Sequence, residues 1–224
     1  MGGIVRERIA RPGTEIIACF RSIPTSIISD AMNRSNGMRA AIKALRPGVR
    51  CVGPAVTVQA MVGCNLMSHK AIYVAQAGDV IVFDAHAHVD TSVWGYLQTR
   101  ACQIRRLAGV VIDGSVRDSD QVRESGFPVF CAGISPLGPH KGWGDSINVP
   151  IQCGGVRVAP GDIIVGDDDG VVVVPQESAA TVVKIAHEYL EQEKNWFREL
   201  ENGETTLSIL DLDAKMKALG VRFE

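Results

Sequence analysis

The sequence has little of several features that define whole classes of protein. Its 224 residues carry a formal net charge of −2, so it lacks the excess of lysine and arginine typical of nucleic-acid binding. No apolar run approaches the roughly 20 residues that cross a bilayer. The N-terminus is charged from Arg6 and lacks the apolar core of a secretion signal. These absences predict a cytoplasmic protein that binds neither nucleic acid nor membrane.

Paired cysteines are also missing. The sequence contains six cysteines, and no two of them form a CxxC pair: Cys19, Cys51, Cys64, Cys102, Cys131 and Cys153. In a cytosolic chain of this length, scattered cysteines indicate reduced thiols rather than a disulfide framework. The length itself suits one domain with one sizeable core.

Helical and strand patterns alternate in the first half of the chain, whereas short strand patterns cluster in the second half. After an irregular lead to residue 21, helices are predicted over 25–36, 66–76, 92–107, 177–202 and, as a short tail, 205–219. Strands are predicted over 51–60, 80–84, 109–112, 129–131, 147–152, 156–158, 163–165 and 171–174. A loop is expected over 86–90, a turn over 113–115 and a long loop over 133–145.

This order of elements predicts a mixed α/β fold with one or two sheets, a β-rich second half and a long C-terminal helix. The chain is expected to form one domain over 1–224. Residues 177–224 would be a helical extension whose leucines pack on a neighbouring subunit. The acidic triplet 167–169 admits a metal site, but a tight turn between hairpin strands explains it better.

The segment 109–120, GVVIDGSVRDSD, is the first candidate for chemistry. An apolar strand leads to Arg117 and Asp118, which lie just beyond its carboxyl end, where open α/β sheets bind ligands. One interpretation is a ligand site. The other is a surface ion pair, with Asp118 or Ser119 capping a short helix.

The start of the preceding helix is the second candidate. Gly95, Tyr96, Leu97 and Gln98 would lie near its first turn, where free backbone N–H groups hold a carboxylate or phosphate. Gly95 would let a ligand approach closely, or it is simply a packing glycine beneath Trp94. The fork of Arg117 facing these amides suits a small carboxylic acid.

Asp118 is the candidate metal ligand. A lone carboxylate is a poor site for zinc or calcium, which need several protein ligands. Magnesium commonly keeps its waters and takes one or two carboxylates together with the substrate. The pair His86 and His88 resembles the metal-binding HxH of amidohydrolases. That fold needs a barrel of typically ~250 residues, and this chain has too few βα units for one.

The strings GVVIDGSVRD and PGDIIVGDDDGVVVVP, together with WGYL at 94–97, resemble the RraA-like family over residues 25–175. This family includes the 4-hydroxy-4-methyl-2-oxoglutarate/4-carboxy-4-hydroxy-2-oxoadipate aldolases and the regulators of ribonuclease activity. The resemblance implies a compact α/β/β sandwich of the swivelling-domain-like type. It also implies a homotrimer or homohexamer with the active site at a subunit interface.

By the same resemblance, Gly95, Tyr96, Leu97, Gln98 and Arg117 bind a small 2-oxo acid substrate. Arg117 and Asp118 are implied to be catalytic, and Asp118 to bind Mg²⁺ or Mn²⁺. The implied reaction is aldol cleavage to pyruvate and a second 2-oxo acid, with oxaloacetate decarboxylation as a second activity. The alternative that the family offers is a non-catalytic regulator of ribonuclease activity that acts by binding a protein.

The sequence departs from the aldolase pattern at three places. Gln121 stands where an acidic residue is usual three positions after the motif aspartate, with Asp120 just before it. Cys64 replaces a usual aspartate before Asn65, and the segment 86–90 replaces a commoner glycine-containing loop. The general base of the reaction stays unassigned, with a water, His86, His88 and Asp90 as candidates.

Overall fold

The computed structural model describes residues 2–222, which form two sheets and several helices. The strands are β1 (Lys43–Ala44), β2 (Cys51–Gln59), β3 (Val80–Trp94), β4 (Gly109–Val116), β5 (Val129–Ile134), β6 (Ile151–Cys153), β7 (Val156–Val158), β8 (Ile163–Asp167) and β9 (Gly170–Val174). The α-helices are α1 (Thr14–Cys19), α2 (Thr25–Ala31), α3 (Leu66–Val74), α4 (Tyr96–Ile104), α5 (Ser119–Glu124), α6 (Ala179–Glu201), α7 (Thr206–Ile209) and α8 (Leu212–Ala218).

The main sheet has seven strands in the order β1-β5-β4-β3-β2-β8-β9. Strands β2 to β5 are mutually parallel and are joined by α3, α4 and α5. Strands β8, β9 and β1 are antiparallel to their neighbours. Parallel strands end on the same side of a sheet. The last residues of β3 and β4, Trp94 and Val116, are therefore paired with each other at one edge.

Successive residues of the parallel strands point to opposite faces of the sheet, and both faces are covered by other parts of the chain. Ile81 and Ile112 belong to the core under α3, α4 and α5. Val82 and Val111 belong to a second core that includes the β6–β7 hairpin. A third core lies between β8–β9 and helices α1, α2 and α6. The predicted α/β sandwich, its β-rich second half and its long C-terminal helix are thus confirmed.

The expected loop over 86–90 is wrong, because β3 continues through it to Trp94. The pairing with β4 shifts register several times in this part. His86 and Ala87 adopt left-handed backbone angles, with φ of 57° and 59°, and the side chain of Asp84 accepts the His86 N–H at 3.0 Å. Helix α4 accordingly begins at Tyr96 rather than at residue 92.

The expected turn over 113–115 is also wrong, because β4 runs without a break to Val116 and every residue in it is buried. Asp113 is accommodated inside the fold because Arg39 Nη2 lies 2.6 Å from its Oδ1. The backbone N–H of Gly154 donates to its Oδ2 at 3.0 Å. Because Arg39 balances the charge of the buried Asp113 carboxylate and Gly154 donates a hydrogen bond to it, residues 113–115 can remain in the strand although they favour turns.

Smaller differences concern the ends of elements. The lead segment contains α1, and β5 extends two residues into the expected loop over 133–145. The strand predicted over 147–152 is limited to Ile151–Cys153, while Ile147 forms isolated bridges to Val5 and Val58. The C-terminal tail forms two short helices, α7 and α8.

The acidic triplet forms the turn between β8 and β9, as predicted. Asp167 accepts hydrogen bonds from the backbone N–H and the hydroxyl of Thr25 at 2.9 and 2.6 Å, and Arg50 Nη1 lies 3.2 Å from it. Asp168 accepts from the Gly48 N–H at 2.8 Å. The triplet therefore links β8–β9 to the start of α2.

All six cysteines are free thiols, and all except Cys19 are buried. Burial raises the pKa of the Cys51 and Cys102 thiols to about 12 and that of Cys131 to about 11. In the part of the chain that the structure describes, no helix combines the length and the apolar character needed to cross a membrane.

Candidate active site

A pocket of about 130 Å³ opens where β3 and β4 end. It is lined by Asn65, His69, Trp94, Gly95, Leu97, Gln98, Arg117, Asp118, Pro139 and Lys141. These residues come from the start of α3, the β3–α4 junction, the end of β4 and the loop after β5. The predicted proximity of the α4 start and Arg117 is therefore confirmed.

The side chain of Asp118 is bound by the start of α4, which follows the neighbouring strand β3. Asp118 precedes α5 in a left-handed conformation, with φ of 55°. Its side chain does not cap α5. Instead, Asp118 Oδ2 accepts the backbone N–H of Tyr96 at 3.0 Å. Arg117 Nε lies 3.9 Å from the same oxygen, and both side chains remain substantially exposed. The pair is therefore open to a ligand, and Asp118 occupies the N-cap position of α5 without a side-chain capping bond.

Gly95 allows this close contact. A Cβ atom built there would lie 2.6 Å from Asp118 Oδ2 and 3.3 Å from Arg117 Cγ, and at the first of these distances the Asp118 carboxylate would have to move. Gly138 has the same property on the other side of the arginine, because its Cβ would lie 2.8 Å from Arg117 Nη1. Close approach of the Asp118 and Arg117 side chains to the backbone explains both glycines.

The start of α4 contributes backbone groups and one buried amide side chain. The first hydrogen bond of the α4 helical pattern runs from the Thr99 N–H to the Gly95 carbonyl at 3.1 Å. The N–H groups of Leu97 and Gln98 precede it and so have no partner within the helix. Tyr96 offers its N–H to Asp118 and does not line the pocket. The side chain of Leu97 is 77% exposed.

Gln98 joins α4 to α3 inside the pocket. Its Nε2 donates to Ser68 Oγ at 2.6 Å, and Asn65 Nδ2 donates to its Oε1 at 3.4 Å. Asn65 is only 3% exposed, and its Oδ1 has no hydrogen-bond partner. A buried acceptor without a partner is rare and indicates a missing donor, such as a ligand hydroxyl or a bound water.

Sequence reasoning missed His69, Lys141, Pro139 and the functional position of Asn65. None of them belongs to a motif, and they reach the pocket from segments far from Arg117 in the chain. Burial, followed by the nearby Lys141 charge, lowers the pKa of His69. The only sequence signal is that His69 follows Asn65 by four residues, which places the two on one face of α3.

The histidines that the sequence offered as bases do not line this pocket. His86 Nε2 lies 2.9 Å from the Ala60 carbonyl oxygen, and His88 Nε2 lies 3.2 Å from Thr91 Oγ1. Asp90 is exposed in the irregular part of β3. Of the departures from the aldolase pattern, Gln121 is exposed on α5 and Cys64 is buried beside the Trp143 carbonyl oxygen.

The donor set fits a hydrated magnesium or manganese ion better than any ion that needs several protein ligands. Asp118 is the one carboxylate among the residues that line the pocket, and no group of three His, Cys, Asp or Glu residues within 2–222 is arranged to hold a metal. Mg²⁺ accepts one carboxylate and retains its waters. The unpartnered Asn65 Oδ1 is suited to accept a hydrogen bond from one of those waters.

The fold and the pocket define an α/β protein with a small, cation-rich pocket at the carboxyl edge of its parallel strands. The sequence profile described as RraA-like, Aldolase/RraA, matches residues 25–173, and the chain therefore belongs to the RraA-like family.

Known relatives include two proteins named for one aldolase activity. A protein of Halalkalibacterium halodurans, provisionally named a 4-hydroxy-4-methyl-2-oxoglutarate aldolase, is 41% identical over 172 residues, covering 77% of this chain and 82% of that one. The 4-hydroxy-4-methyl-2-oxoglutarate aldolase of Thermus thermophilus is 26% identical over 152 residues, covering 68% of this chain and 92% of that one.

A solved structure shares the fold over most of the chain. Streptomyces coelicolor RraAS2, described as an unusual member of the RNase ES inhibitor RraA protein family, matches with a TM-score of 0.71 at 29% identity. The match covers 84% of this chain and 98% of that chain.

Proposed function

We propose that this protein is a divalent-metal-dependent class II aldolase. It cleaves 4-hydroxy-4-methyl-2-oxoglutarate or 4-carboxy-4-hydroxy-2-oxoadipate to pyruvate and a second 2-oxo acid, and decarboxylates oxaloacetate as a second activity. The observation that carries the proposal is the convergence of Arg117, Asp118 and the first turn of α4 on one pocket. The names of the relatives support the same reaction class.

The chain offers two kinds of partner for the 2-oxo acid group. The N–H groups of Leu97 and Gln98 suit the C1 carboxylate, because a helix start favours negative charge. Arg117 suits the C2 oxygen, on which negative charge develops as the C3–C4 bond breaks. A donor that is already in place for that charge typically contributes ~3–4 kcal/mol to the barrier reduction.

Asp118 would hold the metal, and Asn65 would orient a water on it. When bound, Mg²⁺ or Mn²⁺ supplies a Lewis acid for the substrate oxygens. The Tyr96 N–H fixes the carboxylate of Asp118 through Oδ2, so the geometry of the metal ligand depends on α4 as well as on β4.

The proposal includes a homo-oligomer, trimeric or hexameric, in which a neighbouring subunit covers the pocket. Apolar side chains are exposed on the segments that supply the pocket lining, including Met61, Val62, Leu97 and Trp143, which are 50%, 41%, 77% and 48% exposed. The segments of Met61 and Trp143 meet at Cys64, whose thiol donates to the Trp143 carbonyl. An exposed apolar patch of this kind is typical of a subunit interface.

The test is release of pyruvate from oxaloacetate and from 4-hydroxy-4-methyl-2-oxoglutarate by the purified full-length chain. We expect release from both substrates with Mg²⁺ or Mn²⁺ above the rate of an enzyme-free control, and no such excess after chelation. Absence of release with either metal would remove the aldolase proposal. It would favour the second candidate, a non-catalytic regulator of ribonuclease activity, which is supported by the likeness to RraAS2.

A further inference from the structure

Aldol cleavage needs a group that the proposed machinery does not yet contain. The C4 hydroxyl must lose its proton as the C3–C4 bond breaks, and a positioned base typically accelerates such a step by 10²–10⁴-fold. Four residues with ionisable side chains line the pocket, namely His69, Arg117, Asp118 and Lys141. Arg117 and Lys141 are cationic and carry no lone pair in that state, and Asp118 is assigned to the metal.

His69 is placed to meet a bound substrate. It lies on α3, four residues after the N-cap residue Asn65, and so on the same face as the buried amide that lines the pocket. Its ring is partly buried, and no residue within 2–222 forms a hydrogen bond with it. Both ring nitrogens are therefore open to a ligand.

We propose that His69 is the general base that removes the proton from the C4 hydroxyl of the aldol substrate. This assignment rests on the proposed function and adds a catalytic residue that no motif of the sequence identifies. Asn65, one helical turn away with its unpartnered Oδ1, would hold a water or the hydroxyl beside the imidazole.

The proton and the electrons balance in one step. A ring nitrogen of His69 takes the hydroxyl proton, and the electron pair of that O–H bond forms the new C4 carbonyl. The C3–C4 pair becomes the C2–C3 double bond of the pyruvate enolate, whose charge on the C2 oxygen faces Arg117. The imidazolium then passes its proton to water, and C3 takes a proton from water to give pyruvate.

The electrostatic surroundings keep the ring in the form that this step needs. Burial and the positive charge of Lys141 both lower the pKa of His69. A lowered pKa means that more of the imidazole is neutral at neutral pH, and only the neutral ring accepts a proton.

The two proposed activities separate this role from the rest of the site. In oxaloacetate C4 is a carboxylate, which leaves as CO₂ without first losing a proton. Its decarboxylation therefore needs the metal, Asp118 and Arg117 but no base at this position. Replacing the base should therefore affect aldol cleavage alone. A residue that merely shaped the pocket would affect both reactions.

The experiment measures kcat and KM of the full-length chain for both substrates with saturating Mg²⁺. His69→Gln should lower kcat for 4-hydroxy-4-methyl-2-oxoglutarate by about 10²–10³-fold and leave kcat for oxaloacetate within about threefold. His187→Gln, on the α6 helix outside the pocket, is the matched control and should change neither. His69→Ala should recover cleavage when free imidazole is added, and a thermal unfolding curve checks that each variant folds.

Each other outcome overturns the assignment. Equal losses for both substrates would make His69 a structural or binding residue, and unchanged cleavage would remove it from the mechanism. If imidazole fails to restore cleavage to a folded His69→Ala variant that still decarboxylates oxaloacetate, the ring is not the base. A wild-type chain that releases pyruvate from neither substrate would overturn the aldolase proposal itself, and the base assignment with it.

Discussion

The backbone N–H of Tyr96 donates a 3.0 Å hydrogen bond to Asp118 Oδ2. Tyr96 begins α4, and Asp118 precedes α5, so this bond joins two consecutive βα units at the edge of the sheet. The Arg117 N–H makes a second link to the Trp94 carbonyl at 2.9 Å. The position of the proposed metal ligand is therefore set by two strands and two helices, which makes the site sensitive to changes at either junction.

Asp118→Asn removes the negative charge and retains the shape of the side chain. Asparagine tolerates the left-handed backbone of this position and still accepts from the Tyr96 N–H. We expect metal-dependent pyruvate release to fall by roughly 10²–10³-fold, the size typical for one lost stabiliser, with the melting temperature unchanged. Wild-type turnover of the variant in metal-replete buffer would exclude Asp118 from the mechanism.

Arg117→Lys keeps the positive charge but loses the planar fork. The Arg117 Cγ lies close to Gly95 and its Nη1 close to Gly138, and an ammonium in place of the guanidinium cannot reach two substrate oxygens in parallel. We therefore expect a loss of about 10²-fold or more in kcat for both substrates, measured with saturating Mg²⁺. If lysine serves as well as arginine, the contact is a general electrostatic one and the proposed geometry is wrong.

Gly95→Ala tests the close approach directly. The new methyl group would lie 2.6 Å from Asp118 Oδ2, and the carboxylate would have to move away from the Tyr96 N–H. Activity should fall at least tenfold, an effect of roughly 1.4 kcal/mol, while unfolding in urea should change little because a surface carboxylate yields easily. Gly142→Ala, where a Cβ meets no atom within 4 Å, is the control and should behave as wild type.

Asp84 should make the protein less stable as the pH rises. Burial raises the pKa of Asp84 above its ordinary value of 3.8. Between 3.8 and the raised value the folded state binds more protons than the unfolded state, so the free energy of unfolding falls as the pH increases through that window. Urea unfolding at a series of pH values from 3.8 upwards measures this slope.

Asp84→Asn removes the titrating group and should flatten part of that slope. Part of the pH dependence should remain in this variant, since burial raises the pKa of Asp162 too. Asp213→Asn, on the exposed face of α8, should preserve the full wild-type dependence. An Asp84→Asn variant with the wild-type slope would show that this carboxyl titrates alike in the folded and unfolded states.

The wild-type chain should be a closed homo-oligomer at micromolar concentration, as light scattering can establish. Val62→Glu places a charge within the exposed apolar patch beside the pocket. We expect it to shift the mass towards the monomer and to lower pyruvate release in parallel, because an open pocket admits water and weakens its electrostatic contacts. A fully active wild-type monomer would contradict the interfacial site.

Much of the fold could be predicted because the buried strands carry continuous apolar runs. Val80–Ile81–Val82 and Val110–Val111–Ile112 are such runs, and both lie in parallel strands. Prediction failed where a local turn signal was overridden by distant partners. Asp113 stays in β4 because Arg39 and the Gly154 N–H, from other parts of the chain, bind its carboxylate. The sequence near Asp113 gives no indication of these partners.

The candidate site divides in the same way. Gly95, Arg117 and Asp118 could be predicted, since all three belong to motifs. Arg117 and Asp118 follow a recognisable strand, and Gly95 lies near the start of a predicted helix. Asn65, His69 and Lys141 could not, because only the packing of α3 and of the loop after β5 brings them to the pocket. The first group rests on local sequence and the second on tertiary contacts.

The distribution of thiols gives the molecule a built-in attachment point. Cys19 is the exposed cysteine, and the other five are buried, four of them with a pKa that burial has raised. Reaction with maleimide requires an accessible thiolate. A fluorescent dye should therefore couple to the native chain at Cys19 alone, at the C-terminal end of helix α1 and remote in sequence from the pocket. Pairs of labelled subunits would then report assembly by energy transfer without any engineered residue.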